Sequence, residues 1–393
     1  MAADFAEQLR RLRKERGLSL RELAREALQN HNYIHQLEQG KRTAPGPDVV
    51  ERLDRALDAG GRLISAARGA DSIRTLDDEP DAEIEALELV RRVTASDVSP
   101  ETLDQLERAA DRMAMAYATT PPDRLLPRVR RHLTYASSLL DARKTLAQHR
   151  RLIVVGGWLS LLRATLHIDL RQADAADAHL DTATSLAGQA EHTEIAAWAL
   201  ETQAWDVLTS GDYRRALSLS QRAQATAPAG SSAYMQATAQ EGRAWARLGD
   251  RVQTGKVLTR LERMAGKRPE PDRPEHHYQY DPAKAHSYAA TTLAWAGDPA
   301  AARVAREVLA ELEVDGARPR RIASARLDLS LALLTSGSAD EAAAEAQAAI
   351  GTGRIVPSNW WRATEVLTAV EDAGAPEAAD LREVYELHRP TAG

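Results

Sequence analysis

The sequence predicts an all-α chain in two parts, a short N-terminal helical bundle and a long body of helical hairpins. Three observations carry this. Apolar residues recur at helical spacing, as in Phe5, Leu9 and Leu12 or in Leu103, Leu106, Ala110 and Met113, with helix caps between the runs. Beyond residue 150 a small residue followed by Asp or Ser returns at Ala173-Asp174, Gly211-Asp212, Gly249-Asp250, Gly297-Asp298 and Gly337-Ser338, at spacings of 38, 38, 48 and 40 residues. The length, 393 residues, is too great for one small domain and suits two or three.

The first helix runs from Phe5 to Arg16, with Arg10, Arg11, Arg13 and Lys14 around its apolar face, and Gly17 ends it. Its basic last turn complements the helix dipole. Ser19 and Glu22 form a capping box ahead of Leu23, Ala24 and Ala27. Asn30 caps the next helix, whose apolar face is Ile34 and Leu37 and which stops at Gly40. Thr43 to Pro47 is a loop, with Pro47 placed to start a helix carrying Val50, Leu53 and Leu57. Ala59-Gly60-Gly61 stops that helix, and Leu63 to Arg68 reads as a fifth.

Two short helices joined by about three residues, the second polar on its outer face, have the geometry that lays a helix in the DNA major groove. The stretch resembles the lambda-repressor-like (XRE) helix-turn-helix family. Gly17-Leu18-Ser19, Glu22-Leu23-Ala24, Ile34, Leu37-Glu38 and Gly40-Lys41-Arg42 carry the resemblance, which spans residues 1 to about 68. It implies that His31, Asn32 and Gln36 face base edges, with Gln29, Asn30, Tyr33 and His35 beside them, and that Lys41 and Arg42 lie near phosphates. The chemistry suits this, since Asn and Gln can bond adenine bidentately and His can donate to guanine. Two residues depart from the family pattern. Leu20 stands where a phosphate-binding Gln is usual. Leu28 stands where the turn usually has Gly, so a changed turn is expected, because a bulky residue at positive φ is strained. His31, His35 and Glu38 have ligand-like spacing, but no Glu follows His31 and Glu38 belongs to the family pattern, so no metal is expected.

Residues 1–69 thus form the expected DNA-binding head, 70–82 an acidic linker, 83–149 a helical connecting region and 150–393 the repeats. In the connecting region Ser99-Pro100-Glu101 starts a helix and Pro121-Pro122 interrupts the pattern. The best repeat has Trp205, Gly211-Asp212-Tyr213, Ala216-Leu217, Ala223 and Pro228. It resembles a tetratricopeptide (TPR) hairpin and implies a TPR-like α-solenoid. The long spacing after Gly249 holds a Pro-rich insertion, Lys267 to Pro274, and then His276 to Pro282, a cluster that either packs the loop down or forms a lip on a groove. Most of the seven Trp are read as core, where a large ring fills a helix interface.

In a TPR solenoid the first helix of each hairpin lines the concave face. Counting back from each turn puts Arg163, His167, Glu201, Trp205, Gln236, Arg243, Lys284, Ser287 and Thr291 there, a mixture suited to a peptide or an acidic small molecule.

Composition narrows the function classes. Net charge is −6, with residues 1–70 at +3 and the remainder at −9, as for a DNA-binding head on a body that avoids DNA. There is no cysteine, so no disulfide and no thiolate metal site. The N-terminus is polar, and the longest apolar run, Leu152 to Leu162, has eleven residues against the roughly 20 that a membrane span needs. No nucleophile motif, phosphate loop or dinucleotide fingerprint is present, so neither an enzyme nor a cofactor is expected. The 45 Arg against 6 Lys suggest a GC-rich genome such as an actinomycete's. The pairing of parts resembles actinomycete XRE–TPR regulators and the peptide-sensing RRNPP group. It implies a cytoplasmic, ligand-responsive transcriptional regulator that binds an inverted-repeat operator in double-stranded DNA as a homodimer. A peptide, small molecule or protein would occupy the groove, with no membrane partner. The alternative is a TPR interaction scaffold whose helix-turn-helix is only a tether.

Overall fold

Helix follows helix along the chain, with no strand among the described residues. The computed structural model describes residues 2–41, 45–67, 82–93, 97–266, 272–273, 275–280, 282–315 and 318–389. The chain divides into two units, Met1–Glu85 and Ala86–Gly393, and α6 (Ala82–Val93) runs across the division. The stretch 70–81 of the expected linker lies outside the described residues.

The first unit holds α1 (Ala2–Glu15), α2 (Leu20–Glu26), α3 (His31–Glu38), α4 (Pro47–Ala56) and α5, residues 62–67. Each expected cap is present. Ser19 and Glu22 exchange their reciprocal bonds, and the Asn30 side chain accepts from the Asn32 amide at 2.8 Å. Phe5, Leu9, Leu12, Leu23, Ile34, Leu37, Val50, Leu53, Leu57 and Leu63 meet in one core. Leu20 is half-buried against that core rather than held out toward solvent. Asp54 is buried and accepts from the Gly61 and Leu63 amides, at 2.7 and 2.9 Å, which fixes α5 on the end of α4.

The turn between α2 and α3 keeps the usual geometry, contrary to the change expected from Leu28. Leu28 takes the left-handed conformation itself, with φ 53°. The Gln29 amide then reaches the Ala24 carbonyl at 2.8 Å, the bond that closes a Schellman motif. Gly17 and Gly40 do the same work after α1 and α3 without a Cβ penalty.

The second unit stacks helix pairs from the start of α7. The pairs are α7 (Pro100–Ala116) with α8 (Pro122–Leu139), α9 (Leu146–Asp169) with α10 (Ala173–Ala190), α11 (Thr193–Thr209) with α12 (Tyr213–Thr226), and α13 (Ser232–Arg247) with α14 (Arg251–Ala265). They continue as α15 (Pro282–Ala296) with α16 (Ala301–Asp315), α17 (Pro319–Thr335) with α18 (Ala339–Gly351), and α19 (Trp360–Asp372) with α20 (Ala378–His388). Each odd-numbered helix also packs on the next odd-numbered one, which makes a TPR-like α-solenoid. α9 is long and apolar enough to cross a bilayer, but 83% of its apolar window is buried in this stack, as a core helix requires. Its Gly156-Gly157 pair lets neighbours close in: a Cβ on Gly157 would lie 3.1 Å from Ile195 Cδ1 and one on Gly156 3.3 Å from Leu186 Cδ1.

The turns repeat one design. A left-handed residue is followed by an amide bonded five residues back, at Gly211, Gly249, Gly297 and Gly337. In the first of these hairpins that residue is Arg171, φ 59°, with Gln172 bonded to His167, whereas Ala173-Asp174 already belong to α10. The expected register at this turn was therefore two residues late.

The unit also curls until distant parts meet. The Asp169 carboxylate, on the last turn of α9, is fully buried. It accepts from Tyr117 Oη at 3.0 Å, Arg320 Nη2 at 3.1 Å and Ser358 Oγ at 2.8 Å. These donors come from the end of α7, the start of α17 and the 3-10 turn ahead of α19. Arg273 and His277 return to α7 as well, with Arg273 donating to Asp111 at 2.9 Å and the His277 amide to the Ala114 carbonyl at 3.2 Å.

A left-handed residue with a Cβ costs about 1–2 kcal/mol relative to glycine, less the extra chain entropy glycine loses on folding. Leu28→Gly is therefore expected to stabilise the first unit by about 1 kcal/mol. Native-state hydrogen exchange at the Leu23 and Ile34 amides reads this; unchanged or weaker protection would show that the Leu28 side chain repays its strain.

Candidate functional site

The structure offers two sites, one in each unit. On α3, His31, Asn32, His35 and Gln36 are exposed together on the face away from Ile34 and Leu37. His35 Nε2 lies 2.8 Å from Gln39 Nε2, which orients its ring along the helix. Tyr33 and Gln29 are half-buried, and Tyr33 packs on the core beside this face. Asn30 spends its side-chain oxygen on the cap. Lys41 is exposed just past the helix, and Arg42 lies outside the described residues.

What makes this face rigid is an ion pair beneath it. Glu38 takes both Nε and Nη2 of Arg13, at 2.6 and 2.8 Å, while Arg13 Nη1 donates to the Leu18 carbonyl at 2.9 Å. That bidentate pair joins α3 to α1, and it raises the Arg13 pKa through the hydrogen bond to Glu38. Arg13 is thus structural, unlike Arg10, Arg11 and Lys14, which stay exposed. Glu38 is likewise committed, and no metal-ligating cluster occurs among the described residues.

In the second unit the odd-numbered helices enclose a cavity of about 260 Å³. Of the residues expected on the concave face, Glu201, Trp205, Gln236, Arg243, Lys284, Ser287 and Thr291 line it. Arg163 and His167 do not. They face α8 and α10, where Arg163 sits near Arg130 and the His167 ring stacks 5.6 Å from His179. The two-residue error at the first turn explains this, because two residues rotate a helix by about 200° and bring up the opposite face. With the left-handed residues aligned, Thr165, Trp205, Arg243 and Thr291 take equivalent places, and all four line the cavity.

Sequence reasoning missed Tyr117, Arg318, Arg320, Arg321, Asp328, Arg354 and Arg362, which also line the cavity, as does His277 from the cluster expected either to pack the loop down or to form a lip. The run Arg318-Pro319-Arg320-Arg321 at a helix start was a visible signal. The place of His277 was not, since it depends on the inserted loop folding inward. There His277 packs 4.2 Å from the Tyr117 ring, and Tyr278 packs 4.9 Å from Trp158 and 5.3 Å from Trp198. The loop therefore both packs down and walls the cavity. Lys284 Nζ holds it by donating to the His276, His277 and Gln279 carbonyls at 3.1, 3.3 and 2.5 Å. Trp198 is buried at the cavity edge and Trp205 is half-buried, so these two rings are wall as much as core.

The cavity is basic inside an acidic body. Arg243, Lys284, Arg318, Arg320, Arg321, Arg354 and Arg362 face Glu201, Glu275 and Asp328. Arg362 Nη1 donates to Asp328 at 3.0 Å, and Thr291 Oγ1 donates to the same carboxylate at 2.5 Å. Glu201 accepts from Gln236 Nε2 at 3.1 Å, and that amide also reaches Tyr288 Oη at 2.5 Å. Burial pushes the Glu201 carboxyl up to about 7, against the bonds from Gln236 and Gln240 and the charges of Arg243 and Lys284. Burial lowers Arg243 to about 10, with Arg362 acting in the same direction.

Comparison with known proteins adds a domain assignment. Residues 4–67 match the profile of a family described as a helix-turn-helix domain. No curated protein matches the chain. Among solved structures, Bacillus thuringiensis PlcR in complex with the peptide PapR7 and DNA matches at 11% identity, covering 98% of this chain and 96% of that one, with a TM-score of 0.23.

The raised Glu201 pKa sets a pH dependence. In the unfolded chain the carboxyl ionises near pH 4.5, while in the fold it holds its proton to about 7. The folded state binds more protons between these values, so this contribution is complete below about 4.5 and is lost as pH rises through about 7. Glu201→Gln should remove a loss of up to about 3 kcal/mol across that window. Denaturant unfolding followed by tryptophan fluorescence, which reports the second unit alone, should show the variant gaining on wild type from pH 5 to pH 8. A constant difference would mean that Glu201 ionises normally.

Proposed function

We propose that the chain is a sequence-specific DNA-binding transcriptional regulator whose second unit takes an effector in its basic cavity. The observation that carries the DNA-binding part is the exposed set His31, Asn32, His35 and Gln36 on a helix clamped by Arg13 and Glu38. Direct readout needs side chains with both donors and acceptors on a helix that does not move relative to its scaffold, and this face supplies both. The helix-turn-helix match over residues 4–67 supports the same reading. One such head spans only a few base pairs, so the working form is a homodimer on an inverted repeat with half-sites about 34 Å apart. A protein of this kind acts in the cytoplasm, where bacterial DNA is.

The effector part rests on the cavity. The first helices α9, α11, α13, α15, α17 and α19 all contribute to it, its walls combine aromatic rings with cations, and no motif for catalysis accompanies it. A ligand that bridges neighbouring helices of the cavity wall can change the spacing between hairpins, which is how a solenoid converts binding into a shift of shape.

Selection of genomic fragments by the purified protein tests the DNA reading, with recovery of an inverted repeat as the expected result. On that operator, Asn32→Ala or Gln36→Ala should relax specificity at one base pair per half-site, at a cost of about 1–3 kcal/mol. Lys41→Ala should weaken all sequences alike and reduce the salt dependence. Three variants with one indistinguishable profile in a competition assay would place α3 outside the groove.

A further inference from the structure

Three guanidiniums surround the Trp295 ring, and two of them, those of Arg243 and Arg362, line the cavity. Those of Arg243, Arg247 and Arg362 lie 4.9, 4.2 and 6.0 Å from its centroid. Two of them have carboxylates. Arg247 makes a bidentate pair with Glu365 at 2.8 and 2.6 Å, and Arg362 pairs with Asp328 at 3.0 Å. Arg243 makes no ion pair among the described residues, although the charges of Asp328 and Glu201 act on it from farther away. It is 3% exposed, its Nε has no partner, and Nη1 meets only the Gln240 amide oxygen, at 3.3 Å. The faces of Tyr288 and Trp295, each 4.9 Å from the guanidinium, add a further compensation. Glu201 lines the same cavity and feels the Arg243 charge, but its carboxylate is bonded to Gln236 rather than paired with the guanidinium.

A buried guanidinium with no anion hydrogen-bonded to it is an expensive arrangement, because more distant charges only partly replace its lost hydration. Here it borders an open space, so an anion can reach it. We propose that this anion is the carboxylate of the ligand, and that the cavity takes a compact carboxylic acid with a flat apolar body, bound by Arg243 in a bidentate pair. This deepens the effector reading above and rests on it. The planar fork of Arg243 matches a carboxylate, and Trp205 and Tyr288 supply flat faces for the body. Two facts favour a compact acid over an extended peptide. At about 260 Å³ the cavity lies below the range of roughly 300–1,000 Å³ usual for drug-sized ligands. The groups that would pair a peptide backbone are also engaged, Gln236 with Glu201 and Tyr288, and Thr291 with Asp328.

If Arg243 is held for a ligand, it works against the stability of the free protein. Arg243→Met, of similar length and uncharged, should then leave the unliganded unfolding midpoint unchanged or higher. A structural guanidinium would give the opposite result.

The test is calorimetric titration of full-length wild type and Arg243→Met with benzoate, benzamide and a tetrapeptide ending in Phe, the peptide carrying either a free or an amidated C-terminus. Benzoate should bind wild type at least about tenfold tighter than benzamide and tighter than either peptide, and Arg243→Met should lose that preference. Equal binding of benzoate and benzamide, no binding of benzoate, or a lowered midpoint for unliganded Arg243→Met would overturn the proposal. Tighter binding of the free-carboxylate peptide would keep the role of Arg243 but overturn the compact ligand. DNA binding measured in the same samples separates the two readings: benzoate held by Arg243 without effect on DNA upholds this site and removes the effector role.

Discussion

The second unit depends on one buried carboxylate. Asp169 gathers a phenol, a guanidinium and a hydroxyl from three elements distant in sequence. Burial alone would hold its carboxyl above the usual range, and the charge of Arg320 with the bonds from Ser358 and Tyr117 pulls the other way. Nearest-neighbour contacts specify how one hairpin sits on the next but leave small rotations to accumulate along a solenoid. Asp169 stops that accumulation at one curvature. Because Tyr117 and Arg320 also line the cavity, the bond that fixes the curve fixes the cavity too.

The first unit uses the same device on a smaller scale. Arg13 and Glu38 set the angle between α1 and α3, and Asp54 sets α5 on α4, in each case through a charged group bonded at more than one point. Such pairs add little net stability once desolvation is counted, but they penalise any other arrangement. Arg243 is the exception that defines the difference. It is more deeply buried than Arg13 or Glu38 but makes no ion pair, and its place on the cavity wall gives that imbalance a use.

Much of this was legible in the sequence where the signal is local. Ser19, Glu22 and Asn30 announce their caps because capping chemistry acts over three residues. Gly211, Gly249 and Gly297 mark left-handed turns, and counting back from them reaches Glu201, Trp205, Arg243 and Thr291 on the cavity wall. The same count failed at Arg163 and His167 because Arg171 fills the left-handed position with nothing in its side chain to betray it. Leu28 misled in the same way, since its strain is met by a complete Schellman motif rather than avoided. The ion pairs, the inward fold of the 275–280 loop and the grip of Asp169 had no local signal. Each joins residues far apart in sequence, and only packing brings them together.

The central claim is that Asp169 sets the curvature of the second unit, and a distance measurement tests it directly. The chain has no cysteine, so spin labels at Arg108→Cys on α7 and Thr368→Cys on α19, both exposed, report without background. Wild type should give one narrow distance distribution by pulsed electron resonance. Asp169→Ala should keep its helical circular dichroism while that distribution broadens or moves to longer distance, as hairpins stay stacked and the curve is released. An unchanged narrow distribution in Asp169→Ala would contradict the account and assign the curvature to hairpin packing alone.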